Sequence, residues 1–247
     1  MPMLESVLTA LMKMTAPPGY PVSLEKLDID DNNALWTDYT PDYQPAAPLK
    51  EDRFADLVII GGGFTGVSTA YHFSERYPEK RVILLEARTL ANGASGRNGG
   101  MMLNRINGTE HLDDAGLVRV YNTTNYGIDR IIGIIQKHQL KVNYRRDGSL
   151  KVFTKPESAA EGQREVERLS ALGIPYQYLD AAAVRKMINL QGIIGGIFDP
   201  NEGQLNGAQY VRALRGIILD RGVEIFENTP VLKIEPGAEI VIRPANA

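Results

Sequence analysis

The stretch DLVIIGGGFTG, residues Asp56–Gly66, decides how this chain folds. Its first half is a continuous apolar run, which is typical of a strand buried on both faces of a parallel sheet. Its second half satisfies the pattern G-x-G-x-x-G through Gly61, Gly63 and Gly66. Apolar residues then recur with helical spacing over residues 64–77. The stretch therefore predicts a strand, a glycine turn and the start of a helix.

A second apolar run, Arg81–Glu86, ends in an acidic residue 20 positions after Gly66. Strand, glycine turn, helix and strand make a βαβ unit, and the acidic residue completes the fingerprint of a dinucleotide-binding unit. In such a unit Gly61 permits the tight turn, Gly63 lets the backbone approach a pyrophosphate, and Gly66 lets the helix pack closely on the strand. Glu86 would accept hydrogen bonds from ribose hydroxyls, and its charge disfavours the 2′-phosphate of NADP.

A second glycine-rich segment, Gly93–Gly100, lies just past the second strand, on the same side of the sheet as the glycine turn. Ser95, Arg97 and Asn98 supply hydroxyl, guanidinium and amide donors, and the glycines let the backbone come close to a flat ring or a phosphate. A domain that binds only NAD has no need for this segment, so the two motifs together favour FAD over NAD. A bare surface loop is the alternative interpretation.

These residues resemble the amino-terminal half of the D-amino-acid oxidase-like FAD-dependent oxidoreductases, closest to the gamma-glutamylputrescine oxidoreductase-like branch. The resemblance covers about residues 35–243, is specific over 55–101, and continues through Gly148-Ser-Leu and Glu227–Val231. It implies an α/β fold, an FAD-type Rossmann βαβ domain with an inserted α+β portion of a substrate domain. It also implies hydride transfer from the carbon that bears an amine to the flavin N5.

The resemblance assigns FAD contacts to four parts of the chain. These are the glycine turn, the end of the second strand, the second glycine-rich segment and a valine whose backbone contacts adenine: Gly61, Gly63, Phe64, Thr65, Gly66, Glu86, Ala87, Arg88, Ser95, Arg97, Asn98, Gly99, Gly100, Met101 and Val231. No catalytic residue is predicted, and this absence does not argue against flavin chemistry, because flavin amine oxidation does not require a dedicated protein base in every case. The histidines form neither a triad nor a metal-ligand spacing, so no metal site is predicted.

The chain divides into four predicted parts: a leader arm (1–54), an FAD-binding βαβ unit (55–105), an inserted portion of the substrate domain (106–205), and a return helix, strand and hairpin of the FAD domain (206–247). No regular helix or sheet is expected over residues 15–50, where prolines are frequent, and Trp36 is expected to dock this arm.

Further elements are predicted from periodicity and turn signals. We expect helices over about 115–140, 157–172 and 207–221, strands near 174–179, 192–199 and 223–226, a hairpin over Tyr144–Phe153 that turns at Asp147-Gly148, and another that turns at Pro236-Gly237.

Composition bounds the function. The 247 residues are 43% apolar, carry a net charge of -3 and include no cysteine, which excludes disulfides, thiolate metal sites and a cysteine nucleophile. Neither nucleic acid nor a membrane surface is an expected partner, and no stretch reaches the roughly 20 apolar residues of a membrane span. We expect a soluble, cytoplasmic protein.

Family members run well beyond this length, so the sequence looks truncated. The expected partners are a small-molecule amine or amino-acid substrate and either a partner chain or a missing carboxy-terminal half. Two alternatives stay open: an inactive FAD-binding fragment or partner-dependent subunit, and an NAD-dependent dehydrogenase.

Overall fold

A parallel βαβ unit opens the fold, as the glycine motif predicts. The computed structural model describes residues 34–106, 108, 111–237 and 239–245, so most of the predicted leader arm lies outside the described residues. The helices and strands are, in chain order, β1 (Leu57–Ile60), α1 (Phe64–Arg76), β2 (Val82–Leu85), β3 (Met101–Met102), α2 (Asp114–Lys137), β4 (Tyr144–Arg145), β5 (Ser149–Phe153), α3 (Pro156–Ala171), β6 (Gln177–Asp180), α4 (Ala181–Met187), β7 (Gly195–Asp199), β8 (Gly203–Leu205), α5 (Gly207–Asp220), β9 (Glu224–Phe226), β10 (Val231–Glu235) and β11 (Val241–Pro244). Short 3-10 helices lie at Leu35–Tyr39 and Ala94–Gly96.

The sheet that positions the site has the strand order β1-β2-β9, and both pairings are parallel. All four residues of β2 are buried, as a central strand with both faces covered requires. Helices α1 and α5 supply the core against this sheet, with fully buried Val67, Ala70, Val211, Leu214 and Ile218. The sheet is therefore held rigid by a close-packed apolar layer.

The predicted hairpin over Tyr144–Phe153 is wrong. Strand β4 pairs with β8 and strand β5 pairs with β7, both antiparallel, so the two halves of the segment share no ladder. The segment bends between its two strands, and it lies antiparallel to residues 195–205, which bend between β7 and β8 in the same way. Gly148 has a φ of +85° and donates its N–H to the carbonyl of Glu202, so the glycine bends the segment instead of reversing it. The Asp147-Gly148 signal marks a real bend in the chain, but it does not determine which strands pair.

The predicted helices are confirmed within a few residues by α1, α2, α3 and α5, and the hairpin of β10 and β11 is confirmed as antiparallel. Helix α4 and strands β3 and β8 were not predicted, because each is too short to show a period. The 3-10 helix at Leu35–Tyr39 corrects the expectation that residues 15–50 hold no regular helix. A 3-10 helix bonds each N–H to the carbonyl three residues earlier, so it can form within only five residues.

Helix α2 begins where Asp113 caps it. The carboxylate of Asp113 accepts a hydrogen bond from the Gly116 N–H at 2.7 Å, which satisfies one free amide of the first turn. At the other end Lys137 and Glu75 of α1 form an ion pair at 2.8 Å. The end of α2 is thus joined to α1 of the βαβ unit. Among the described residues, no helix is long and apolar enough to cross a membrane.

Prediction: Leu84→Ala lowers the free energy of unfolding by about 2–5 kcal/mol, because it leaves a cavity in the middle of a fully buried strand. Leu232→Ala, at a side chain that is 73% exposed, is the matched control and changes stability by less than about 0.5 kcal/mol. Urea unfolding of both variants measures the difference. Equal losses in the two variants would contradict this assignment of the core.

Candidate cofactor site

The carboxyl edge of the parallel sheet brings three chain segments side by side. Ile60 pairs with Leu85, and Leu85 with Phe226, so the residues that follow, Gly61, Glu86 and Glu227, leave the sheet at the same level. The N–H of Gly61 donates to Leu85 at 2.8 Å, and the N–H of Glu86 donates to Phe226 at 2.9 Å. Ligands of open α/β sheets bind at this edge, outside the carboxyl ends of the strands.

The glycine turn has its composition for steric reasons that the structure shows. Gly61 has a φ of +102°, in the left-handed region that side chains other than glycine rarely adopt. A Cβ on Gly66 would overlap the carbonyl oxygen of Gly61, so only glycine lets α1 start this close to β1. A Cβ on Gly63 would lie 2.7 Å from the hydroxyl oxygen of Ser95. The turn therefore requires glycine at 61 and 66, and Gly63 leaves room for the Ser95 hydroxyl at the start of α1.

The Glu86 carboxylate holds both flanking loops. Its Oε2 accepts a hydrogen bond from the N–H of Gly62 at 2.6 Å, and its Oε1 accepts one from the N–H of Arg88 at 2.9 Å. A carboxylate has about four acceptor positions, so these two bonds leave capacity for the hydroxyl groups of a ligand. Glu86 is partly exposed at this point. It is placed to accept hydrogen bonds from a ribose.

The second glycine-rich segment returns to the start of α1. Gly63, the residue before the helix, contributes no capping side chain, and the hydroxyl oxygen of Ser95 instead accepts the N–H of Phe64 at 2.9 Å. Asn98 orders its own loop: its amide nitrogen donates to the carbonyl of Ser95 at 3.0 Å and its amide oxygen accepts from the N–H of Gly100 at 2.7 Å. A helix N-terminus attracts anions through its free N–H groups, and here the Ser95 hydroxyl accepts one of the N–H groups, that of Phe64.

The predicted site residues fall into two groups. The glycine turn, Glu86 and Ser95 are joined by the hydrogen bonds just described. Arg97, Asn98 and Gly99 are exposed on the same segment as Ser95, and Met101, which follows it, is 68% exposed. Thr65, Ala87 and Arg88 are exposed beside the first group. Val231 belongs to the second group, because it begins β10 and packs in an apolar cluster with Leu49, Ile83 and Leu85.

Glu227 is a site residue whose role the sequence did not reveal. Its side chain is fully buried, and its carboxylate accepts the backbone N–H of Leu90 at 2.6 Å. The next residues continue the link, since the N–H of Asn228 donates to Arg88 at 2.7 Å and the N–H of Thr229 donates to Glu86 at 2.9 Å. The acidic residue at the end of a short strand was the available signal, but nothing local distinguishes it from a solvated one.

A second buried acidic cluster lies where β7 and β8 meet. Asp199 accepts from the N–H of Asn201 at 2.8 Å and contacts the Tyr121 hydroxyl at 3.4 Å, and Glu202 accepts from the N–H of Asn104 at 2.8 Å and from the Ser149 hydroxyl. These bonds fix the turn between the two strands. The charges of Asp199 and Glu202, after burial itself, raise the pKa of the nearby Tyr176.

Among the histidines, His138 is bonded to α1. Tyr71 and His138 share a hydrogen bond at 2.8 Å between the phenol oxygen and Nε2, and burial, followed by the charges of Lys137 and Arg221, lowers the pKa of His138. Near His111, Asp113 caps α2 and Asp114 pairs with Arg168. Within the described part of the chain, no three His, Cys, Asp or Glu residues are grouped so that they could hold a metal ion.

Prediction: Gly63→Ala destabilises the folded chain by about 1–2 kcal/mol, because the added methyl group pushes the Ser95 hydroxyl away from the Phe64 N–H. In a Ser95→Ala background the same substitution costs about 1 kcal/mol less, which a double-mutant cycle in urea detects. Gly93→Ala is the control, because a Cβ there meets nothing within 4 Å. Purely additive effects would show that the two residues are not in contact.

Comparison with known proteins gives the family of this geometry. The pattern of the family "FAD dependent oxidoreductase" (DAO) matches residues 56–246. The chain is 29% identical over 193 residues to a probable oxidoreductase OrdL of Haemophilus influenzae, covering 75% of this chain and 44% of that protein. It is 27% identical over 218 residues to the gamma-glutamylputrescine oxidoreductase of Escherichia coli, covering 82% and 48%.

A solved structure shows the same fold. The glycine oxidase of Geobacillus kaustophilus superposes with a TM-score of 0.66 and 21% identity, over 77% of this chain and 51% of that one. The chain spans about half the length of the curated relatives that it matches. Because the family pattern covers most of the chain and includes the glycine turn, Glu86 and the Ser95 segment, the chain belongs to the DAO family of FAD-dependent oxidoreductases.

Proposed function

We propose that this chain binds FAD along the carboxyl edge of its parallel sheet, for the oxidation of an amine or an amino acid. The observation that carries the proposal is the joined set of Gly62, Glu86, Phe64 and Ser95, in which an acidic acceptor and a helix N-terminus face the same edge. FAD is the cofactor of the family. A dinucleotide presents a ribose and a pyrophosphate at the spacing between such groups.

The residues present fit FAD by their donor and acceptor chemistry. Glu86 retains acceptor capacity for ribose hydroxyls after it has bound two backbone amides, and an extra 2′-phosphate would meet its negative charge. The glycines at 61, 63 and 66 add no side chains of their own at the start of α1, where the backbone N–H groups and the helix dipole favour a pyrophosphate. The exposed residues Arg97, Asn98, Gly99 and Met101 suit contact with a flat polar ring.

The bound flavin supplies the hydride acceptor for the carbon that bears the amine. In this proposal Glu86 holds the adenosine ribose, the N-terminus of α1 holds the pyrophosphate, and the Ser95–Met101 segment orients the flavin. The backbone of Val231, at the start of β10, contacts the adenine. The family membership favours FAD over NAD, so the dehydrogenase alternative gains no support.

The substrate class rests on the relatives. The names of two of them, gamma-glutamylputrescine oxidoreductase and glycine oxidase, describe oxidation of an amine and of an amino acid. A second candidate function is FAD binding without turnover, as a fragment or as a subunit that needs a partner chain, because the chain spans about half of its curated relatives. A cytoplasmic location stays a prediction.

Prediction: the chain binds FAD, and Glu86→Ala weakens binding by about 100-fold, because each hydrogen bond from a ribose hydroxyl to the carboxylate contributes roughly 1.5–3 kcal/mol. Quenching of flavin fluorescence on titration gives the dissociation constants. Glu161→Ala, which removes an exposed carboxylate from α3, is the control and leaves the affinity unchanged. Equal affinity in the wild type and Glu86→Ala would refute the assignment of Glu86.

Turnover separates the two candidate functions. The FAD-loaded chain is mixed with glycine, putrescine or gamma-glutamylputrescine, and reduction of an artificial electron acceptor is followed. Reduction that depends on both FAD and amine places the reaction in this chain. Bound FAD with no reduction by any amine favours the binding-only function.

A further inference from the structure

Residues 34–49 form a strap across the candidate site, and they precede the part of the chain that the family pattern matches, 56–246. Thr40, Tyr43 and Leu49 of this strap contact residues far along the chain, among them Arg212 and Thr229. Most of these contacts are hydrogen bonds to groups that are themselves in or beside the cofactor site. The strap therefore has more than an apolar anchor.

One end of the strap is bonded to Glu227. The Tyr43 hydroxyl donates to both carboxylate oxygens, at 2.9 and 2.8 Å, and the N–H of Ala46 donates to Oε2 at 2.6 Å. The same carboxylate accepts the N–H of Leu90 through Oε1 at 2.6 Å. Every partner is a donor and each oxygen accepts at least one backbone N–H, whereas an amide side chain would direct its own N–H against one of these donors.

This bond network joins the strap to the loop after Glu86. Leu90 lies four residues past Glu86, and Leu49 of the strap donates its N–H to the Thr229 hydroxyl at 3.1 Å, while the Thr229 N–H donates to the Glu86 carbonyl. Burial, followed by the charge of Glu227 and the hydrogen bond to it, raises the pKa of Tyr43, which keeps this hydroxyl a donor. The strap is thus linked through Glu227 and Thr229 to the Glu86 loop, where the adenosine ribose of FAD is proposed to bind.

The other end of the strap is bonded to the Ser95–Met101 segment, which is proposed to orient the flavin. The Trp36 indole N–H donates to the carbonyl of Asn98 at 2.5 Å. The Trp36 ring also covers Gly100, since a Cβ there would lie 3.2 Å from it. Between the two ends Arg212 of α5 holds the strap: it donates to the Thr40 hydroxyl at 2.5 Å, and its guanidinium carbon lies 4.2 Å from the centre of the Tyr43 ring.

We propose that the strap, residues 34–49, positions the Glu86 loop and the Asn98–Gly100 segment relative to each other for FAD, with Glu227 as the positioning residue that couples the strap to the Glu86 loop. The inference rests on the proposed binding of FAD. A site held in its bound geometry before the ligand arrives binds more tightly, because less ordering is left for the binding step. The strap is a route by which residues that do not touch FAD set its affinity.

The test compares Tyr43→Phe and Trp36→Phe with the wild-type chain. Each removes one hydrogen-bond donor and keeps an aromatic ring, and each is expected to raise the FAD dissociation constant about tenfold, the scale of one lost polar contact to a positioned group. In the FAD-free chain, Tyr43→Phe also speeds hydrogen exchange of the Leu90 amide. Glu227→Gln is expected to raise the FAD dissociation constant further and to speed Leu90 exchange further. If that variant does not fold, the two aromatic variants are sufficient for the test.

Tyr121→Phe is the matched control, because it removes another buried tyrosine hydroxyl beside a carboxylate, that of Asp199, away from the strap. It lowers the unfolding midpoint but leaves FAD affinity and Leu90 exchange unchanged. If Tyr121→Phe weakens FAD as much as Tyr43→Phe does, general destabilisation explains the effect and the inference is overturned.

The outcomes also separate the inference from the proposed function. Tight FAD binding by the wild type and by both strap variants overturns the positioning role and leaves the proposed function standing. A wild-type chain that binds no FAD overturns both. Weakened FAD binding in the two strap variants alone, with faster Leu90 exchange in Tyr43→Phe, supports the inference.

Discussion

Backbone amides at the carboxyl edge of the parallel sheet are bonded to two carboxylates, and the candidate site depends on this arrangement. Glu86 accepts from the amides of Gly62 and Arg88, and Glu227 accepts from those of Leu90 and Ala46. Gly62 and Leu90 are buried, so their N–H groups would cost free energy if they were left unpaired. The carboxylates satisfy these donors and in doing so fix the loops to which a cofactor would bind.

The two carboxylates have different exposure and for that reason suit different roles. Glu227 is fully buried and has protein donors around it, whereas Glu86 is only partly buried and its two protein donors leave acceptor positions. A buried carboxylate with complete hydrogen bonding gives a unique local geometry, and removing one partner leaves a charge without compensation. Glu86 is therefore suited to binding a ligand and Glu227 to holding the loop.

The proposed cofactor site and the proposed substrate class rest on different observations. The Glu86 and Glu227 carboxylates of the sheet edge lie within residues 56–246, which the family pattern matches. Substrate choice depends on groups that contact the amine, and the relatives include proteins named for different substrates. The cofactor carries the difficult chemistry in such enzymes, so a common scaffold can serve several amines and amino acids.

The sequence alone determined the βαβ unit, its glycine turn and the acidic residue at the end of β2, because these features follow from spacing along one short segment. It also predicted the longer helices, whose apolar period extends over several turns. It failed where the pairing partner was distant along the chain. The turn at Gly148 looked like a hairpin, yet the strands on either side pair with residues 195–205, and only packing of the whole inserted portion decides between those pairings. Likewise Trp36 stood out as an anchor, but its bond to Asn98 and the bonds of Tyr43 and Leu90 to Glu227 join residues from 36 to 227. Contacts so distant along the chain leave no local pattern, and tertiary structure alone brings those groups within hydrogen-bonding distance.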